Sequence, residues 1–145
     1  MPRWFFTLLA VPGALLAAMA SGADGRFLQE LVLDDGRMVV VAEAEREPRS
    51  IGSYSIRLYA VGNPEFPYDD FVHGLVMARD GFVEKVLLED LDADGSKELV
   101  VLVRSAGTGG YLSAQSFKAT RHQIHPFRAV ADLPALADPL EQLRQ

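Results

Sequence analysis

The amino-acid sequence predicts an all-β protein, an antiparallel two-layer β-sandwich of about eight strands with a short C-terminal helix. Short runs rich in Val, Ile, Leu, Tyr and Phe recur along the chain, separated by clusters of Asp, Gly, Pro and Asn. Three of these breaks contain the dipeptide Asp-Gly, which tolerates the positive φ angles of tight hairpin turns. No internal repeat or linker divides the chain, so a single domain is expected over residues 21–145.

The strand positions follow from the apolar runs. Tyr54, Ile56 and Leu58 alternate with polar residues, which indicates a strand with one buried face and one solvent-exposed face. Residues 99–103 are apolar without interruption, which predicts a central strand that is covered on both faces. The predicted strands span residues 27–33, 38–43, 54–61, 71–78, 82–89, 98–104, 111–120 and 124–130.

Turn and capping residues define the connections. The Asp-Gly pairs at residues 35–36, 80–81 and 94–95 each predict a hairpin between the strands that flank them. The connection over residues 63–70 contains two prolines, which cannot join a strand ladder, and is therefore predicted to be irregular. Asp138 is followed directly by a proline and three residues later by a glutamate, the N-cap, N1 and N3 signals of a short terminal helix.

The first segment has the features of an export signal. Arg3 precedes an apolar run over residues 4–17, and residues 18–20 have the small-x-small pattern that a signal peptidase recognises. A Pro-Gly pair interrupts the run, which is shorter than the ~20 apolar residues that a membrane span requires. We therefore expect residues 1–20 to be a cleaved signal peptide and the exported mature protein to have no membrane anchor.

Composition and charge exclude several classes of protein. The chain has 145 residues, of which 49% are hydrophobic, and this content argues for a folded core. Its net charge of −6 argues against nucleic-acid binding, which depends on Lys and Arg neutralising phosphates. Because the chain has no cysteine, disulfides, thiolate zinc sites and cysteine nucleophiles are excluded. The motifs G-x-S-x-G and H-E-x-x-H and a phosphate-binding loop are absent, so the sequence does not support an enzyme.

The three histidines do not form a recognisable set of metal ligands. His122 and His125 are three positions apart, a spacing that places side chains on opposite faces of a strand. His73 lies among apolar residues and is predicted to be packed and hydrogen-bonded within the fold. We assign no catalytic role to any of them.

An acidic loop follows the fifth predicted strand. Asp90, Asp92, Asp94 and Glu98 form the pattern D-x-D-x-D-G-x-x-E, which clusters oxygen ligands around a glycine turn as calcium requires. It is not an EF-hand, because the twelfth loop position is a valine and the flanking segments are predicted strands. Two interpretations stand: an Asp-rich turn whose side chains bond their own backbone, or a calcium site formed by these four carboxylates.

A loop of small residues ending in an aromatic residue lies between the sixth and seventh predicted strands. Its glycines, Gly109 and Gly110 among them, leave backbone groups exposed to a partner. Ser105 and Thr108 add hydroxyl groups, and Tyr111 offers a rigid amphipathic anchor. The alternative is a flexible connection in which Tyr111 is a core residue of the next strand.

Five segments occur in a recognisable order along the chain: residues 49–59, the Asn-Pro loop at 63–64, Asp-Gly at 80–81, the acidic loop over 90–98 and the glycine loop over 104–113. Together they resemble the bacterial periplasmic inhibitors of invertebrate-type (i-type) lysozyme. The resemblance extends from residue 39 to the C-terminus.

This resemblance implies a periplasmic, all-β, homodimeric inhibitor that needs no cofactor and is not an enzyme. In that family a loop of pattern Ser-Gly-x-Tyr enters the active-site cleft of the lysozyme. The motif falls here on residues 108–111, where Thr108 stands in place of the family's serine and keeps its hydroxyl group. The resemblance thus implies that Thr108, Gly109, Gly110 and Tyr111 contact i-type lysozyme. The alternative function is an exported binding module stabilised by calcium at the acidic loop.

The export signal makes a direct prediction about the mature protein. Cleavage after residues 18–20 places the new N-terminus at Ser21. Intact-mass spectrometry of the exported protein should find this N-terminus. A mature protein that retains Met1 would contradict the prediction.

Overall fold

A computed structural model of the protein describes residues 25–145, in which eight strands form two four-stranded antiparallel sheets. The strands pair in the orders β1-β2-β3-β4 and β5-β6-β7-β8, which confirms the predicted all-β class. The predicted signal peptide lies outside the described residues. The strands are β1 (Leu28–Val32), β2 (Met38–Glu43), β3 (Ile51–Tyr59), β4 (Phe71–Asp80), β5 (Phe82–Glu89), β6 (Glu98–Arg104), β7 (Leu112–Ala119) and β8 (Ile124–Leu133), and the helix is α1 (Pro139–Arg144).

Eight of the sixteen strand ends differ from the predicted boundaries, by one to three residues. Where a strand is longer than predicted, backbone pairing continues where the apolar pattern stops. β3 begins at Ile51, which pairs with Asp80 of β4, so the strand includes the glycine and the serine that precede Tyr54. β8 extends past a register shift to Leu133, which pairs with Leu112 at the start of β7. Tyr111, which was predicted to begin the seventh strand, precedes β7.

The hydrophobic core lies between the two sheets and has a second part outside β6. The predicted alternation in β3 is confirmed, because the side chains of its inward positions, including Tyr54, are fully buried. β6 is the predicted central strand: Val101 points into the core between the sheets, and Val100 points to the opposite face. Leu143 of α1 covers that opposite face. The strand is therefore apolar on both sides because the helix excludes water from the outer one.

The helix begins as its capping residues predict. The carboxylate of Asp138 accepts hydrogen bonds from the backbone N–H groups of Leu140, at 2.9 Å, and Glu141, at 3.4 Å. Pro139 occupies the first turn, where its missing N–H costs no hydrogen bond. This cap holds a six-residue helix that packing on the sheet stabilises further. No helix within residues 25–145 is long and apolar enough to cross a membrane.

One of the three predicted hairpins is wrong. The Asp-Gly pairs at residues 35–36 and 94–95 connect hydrogen-bonded neighbours, as predicted, but the pair at 80–81 connects β4 to β5, which lie in different sheets. Gly81 has a φ of +120° there, and a Cβ atom at this position would overlap the carbonyl oxygen of Arg104. The positive φ that the dipeptide predicts is therefore present, but it forms a corner between the sheets.

This corner is held by a buried guanidinium. Arg79 is 3% exposed and donates four hydrogen bonds to backbone carbonyls. Its Nε donates to Ser53 at 3.0 Å, and its Nη2 donates to Pro48 at 2.9 Å. Its Nη1 donates to Arg49 at 2.8 Å and to Gly81 at 2.5 Å. One side chain thus joins β3, the loop between β2 and β3, and the corner.

The buried carboxylate of Glu43 lies beside this guanidinium and joins the two sheets. Its Oε1 atom is 3.9 Å from Nε of Arg79 and accepts a hydrogen bond of 2.7 Å from the backbone N–H of Val83 in β5. Because the carboxylate has both a charged neighbour and backbone donors, its burial is compensated.

Replacement of Arg79 tests this arrangement. Arg79→Met keeps an apolar stem but leaves four carbonyls without their donor and the Glu43 carboxylate without its charged neighbour. The free energy of unfolding should therefore fall by about 3–5 kcal/mol. Urea denaturation measures the loss. The control is Arg57→Met on the exposed face of β3, which should change stability little. A loss for Arg79→Met as small as that expected for Arg57→Met would show that the buried guanidinium is not structurally important.

Candidate functional site

The glycine loop forms a closed hairpin between β6 and β7. The backbone N–H of Ser105 donates to the carbonyl of Tyr111 at 2.8 Å and closes the base of the loop. The N–H of Gly110 donates to the carbonyl of Gly107 at 3.1 Å and forms a tight turn, in which Gly110 has a left-handed φ of +55°. Thr108, at the tip, is exposed. The loop therefore has a defined shape and presents its tip to solvent.

Tyr111 lies outside the core. Its side chain is 52% exposed, and the first buried residue of β7 is Leu112. The ring lies so close to Gly109 that a Cβ atom there would be 2.5 Å from the nearest ring carbon. The interpretation of Tyr111 as a core residue is therefore wrong, and the glycine is required for the ring to lie along the loop.

Ser105 differs from the other predicted contact residues. Its Oγ atom is buried at the base of the loop and has no hydrogen-bond partner within the described residues. Thr108, Gly109 and Tyr111 are exposed together at the tip, and Gly110 is partly exposed beside them. The structure thus brings four of the five predicted residues to one surface and places the Ser105 hydroxyl below it.

Arg104 holds the loop in position from below. Its guanidinium pairs through Nε and Nη2 with the carboxylate of Glu84 on β5, the second contact at 2.8 Å. Its Nη1 donates to the carbonyls of Gly110, at 2.8 Å, and Ala135, at 3.4 Å. The hydrogen bonds from Arg104 hold the pKa of Glu84 below its usual value, so this carboxylate is charged at neutral pH.

The acidic loop lies at the opposite end of β5 and β6, and the backbone contacts of its carboxylates are those of an Asp-rich turn. The carboxylate of Asp90 accepts hydrogen bonds from the N–H groups of Asp94, at 3.2 Å, and Gly95, at 2.9 Å. The carboxylate of Asp94 accepts one from Ser96 at 2.8 Å. These bonds are those that the turn interpretation predicts.

An ammonium group lies among the carboxylates of this loop. Nζ of Lys118 is 2.5 Å from an oxygen of Asp92, 3.1 Å from one of Asp94 and 3.4 Å from one of the buried Glu98. Its hydrogen bond to Asp92 lowers the pKa of that carboxyl, and the same contacts raise the pKa of Lys118. Ligand oxygens of Asp90, Asp92 and Glu98 lie within 4.8 Å of one another, so a calcium ion here would compete with the lysine.

None of the three histidines belongs to a group of possible metal ligands within residues 25–145, and His73 is hydrogen-bonded as predicted. Nδ1 of His73 accepts a hydrogen bond of 3.3 Å from the backbone N–H of Ile124, which links β4 to β8. Within residues 25–145, neither His122 nor His125 belongs to a group of side chains close enough to hold a metal. The glycine loop is therefore the feature that most clearly forms a surface for a partner.

The fold and this loop define a class: small all-β proteins that present a preorganised hairpin loop to a binding partner. A family model described as periplasmic lysozyme inhibitor of I-type lysozyme matches residues 25–145. The chain belongs to this family. Its members are inhibitors of an enzyme and not enzymes themselves.

Two solved structures are similar to this chain. The crystal structure of the periplasmic lysozyme inhibitor of I-type lysozyme from Aeromonas hydrophila is 42% identical, with a TM-score of 0.77 over 81% of this chain and 98% of that one. The structure of the A. hydrophila inhibitor in complex with Meretrix lusoria lysozyme is 41% identical, with a TM-score of 0.77 over 82% and 96%. A comparison with curated proteins found no match.

The calcium interpretation of the acidic loop can be tested with calcium and a variant of Lys118. The ammonium already supplies the positive charge of a bound cation, so we expect millimolar calcium to leave the melting temperature of the wild type unchanged. Lys118→Met should lower the melting temperature, because three carboxylates lose their cation, and calcium should restore part of the loss. The control is Lys85→Met on an exposed position of β5. Calcium-dependent stabilisation of the wild type would show that the loop is a metal site.

Proposed function

We propose that this protein inhibits i-type lysozyme by inserting the tip of the glycine loop into the active-site cleft. The observation that carries the proposal is the exposed tip around Thr108 and Tyr111, held on a closed hairpin. Its support is the family to which the chain belongs and the A. hydrophila relative, whose complex with the Meretrix lusoria lysozyme has been solved.

The chemistry of the tip fits a cleft that binds sugars. A lysozyme cleft contains two catalytic carboxylates and hydrogen-bonding groups for the substrate. The tip offers the hydroxyl of Thr108, the backbone N–H of Gly109 and the phenol of Tyr111 as donors. Because hydrogen bonds and the Arg104 contacts already hold the loop, little conformational entropy is lost on docking. Occupation of the cleft by these groups excludes the polysaccharide.

The cellular form of the protein is part of the proposal. The family resemblance supports a periplasmic homodimer after cleavage of the signal peptide. Cleavage removes Arg3, which leaves 13 basic and 20 acidic side chains and changes the net charge from −6 to −7. This negative charge would accelerate encounter with a basic lysozyme, an effect on association rate more than on final affinity. On β4 the side chains of Phe71 and Val76 are apolar and exposed, and they offer a surface for a second copy.

Oligomeric state is measured by light scattering after size-exclusion chromatography. The mature protein should elute with twice the mass of its chain, and Val76→Lys should favour the monomer by placing a charge on the exposed face of β4. A monomeric wild type at micromolar concentration would contradict the homodimer.

Variants of the tip separate binding from folding. Thr108→Ala should weaken the free energy of binding to lysozyme by about 1–3 kcal/mol, because a buried partner group in the cleft loses its hydrogen bond. Tyr111→Ala should weaken this binding free energy by about 2 kcal/mol or more, because Tyr111 is a central anchor. The assay measures lysis of bacterial cells by an i-type lysozyme, alongside the melting temperature of each variant, which should stay close to that of the wild type.

Two controls accompany these variants. Thr108→Ser keeps the hydroxyl and should retain inhibition. Thr120→Ala removes an exposed threonine from the turn between β7 and β8, at the opposite end of the sandwich, and should have no effect on inhibition. If the wild type leaves i-type lysozyme fully active, the proposed function is wrong. If Thr108→Ala and Tyr111→Ala inhibit as well as the wild type, the site has been misplaced.

A further inference from the structure

Several large apolar side chains are exposed around the base of the glycine loop. Phe82 pairs with Arg104 in the β5–β6 ladder, and Tyr111 directly follows the loop carbonyl that accepts from Arg104. Leu136 directly follows Ala135, whose carbonyl accepts from the same guanidinium. Phe82 is the strand partner of Arg104, and Tyr111 and Leu136 each follow a residue that is hydrogen-bonded to Arg104. The three side chains therefore belong to one end of the sandwich. We call the side chains of Phe82 and Leu136 the apolar rim of the loop.

Leu136 is the most exposed large apolar side chain in the described part of the protein. It is 99% exposed, although burial of a leucine side chain stabilises a folded protein. The segment that carries it is ordered by a turn, in which the N–H of Ala137 donates to the carbonyl of Pro134 at 2.9 Å. A defined turn thus presents this leucine to solvent.

The position of this turn relative to the loop is fixed by shared contacts. Nη1 of Arg104 donates to both Gly110 and Ala135, so one charged group orients the loop and the turn together. The Cβ atom of Ala135 also lies 3.8 Å from the position that a Cβ atom of Gly110 would take. The turn that carries Leu136 is therefore fixed next to the glycine loop.

We propose that the apolar rim binds the surface of i-type lysozyme beside the active-site cleft, with Leu136 as its principal contact. This inference rests on the proposed function, because its occupant is identified by continuity with the inserted tip. An apolar side chain next to a polar insertion adds contact area and excludes water from the hydrogen bonds at its centre. The rim would thereby slow dissociation of the complex.

Affinity measurements with a serine substitution test the rim. Leu136→Ser removes the apolar contact without affecting the core, so its dissociation constant for i-type lysozyme should rise roughly tenfold, mostly through faster dissociation. Phe66→Ser is the matched control, because Phe66 is 58% exposed in the loop before β4, at the other end of the sandwich. Its dissociation constant should equal that of the wild type. Light scattering of both variants reports whether Leu136 contacts a second copy instead.

Chemical protection gives an independent measure of contact. The chain has no cysteine, so Leu136→Cys introduces a single thiol whose reaction with a maleimide can be followed. Saturating lysozyme should slow this reaction, whereas the thiol of Phe66→Cys should react at an unchanged rate. Unprotected Leu136→Cys, unchanged affinity of Leu136→Ser, or loss of the dimer with unchanged affinity would overturn the rim while inhibition by the wild type still supports the proposed function. Absence of inhibition by the wild type would overturn both.

Discussion

The buried guanidinium of Arg79 is the interaction on which the rest of the structure depends. It binds four carbonyls around the corner where the chain passes from one sheet to the other. Gly81, at that corner, packs against the backbone of Arg104 at the end of β6. This interior contact therefore positions the base of the glycine loop. It lies at the end of the sandwich where β4 is connected directly to β5 of the other sheet.

A second arginine fixes the positions of the surface segments at this end of the sandwich. Arg104 is paired with Glu84 on β5 and binds carbonyls of the loop and of the turn after β8. A loop that is held in this way can present hydroxyl and amide groups without first having to become ordered. A basic side chain also orders the loop at the opposite end of the sandwich. There Lys118 balances the charge of the acidic loop and holds the loop against β7. The two ends thus differ in charge and in what they offer a partner.

Local patterns predicted most of the fold, and long-range contacts explain what they missed. The alternation in β3, the apolar run of β6 and the cap at Asp138 depend on neighbouring residues, so the sequence alone was sufficient. The Asp-Gly pair at 80–81 correctly indicated a positive φ but could not reveal which strands would pair. Lys118 was not predicted as a partner of the acidic loop, because the register of β6 and β7 brings the two together. The tip residues 108–111 came from a motif, whereas the burial of the Ser105 hydroxyl required the structure.

Occlusion of the cleft is the central claim, and inhibition kinetics with a soluble oligosaccharide substrate test it most directly. A loop that occupies the cleft competes with every substrate that must enter it, whatever the length of that substrate. The apparent KM of an i-type lysozyme should therefore increase linearly with inhibitor concentration, while kcat stays constant. A fall in kcat with an unchanged KM would show that lysozyme binds inhibitor and substrate together, and would contradict insertion of the loop.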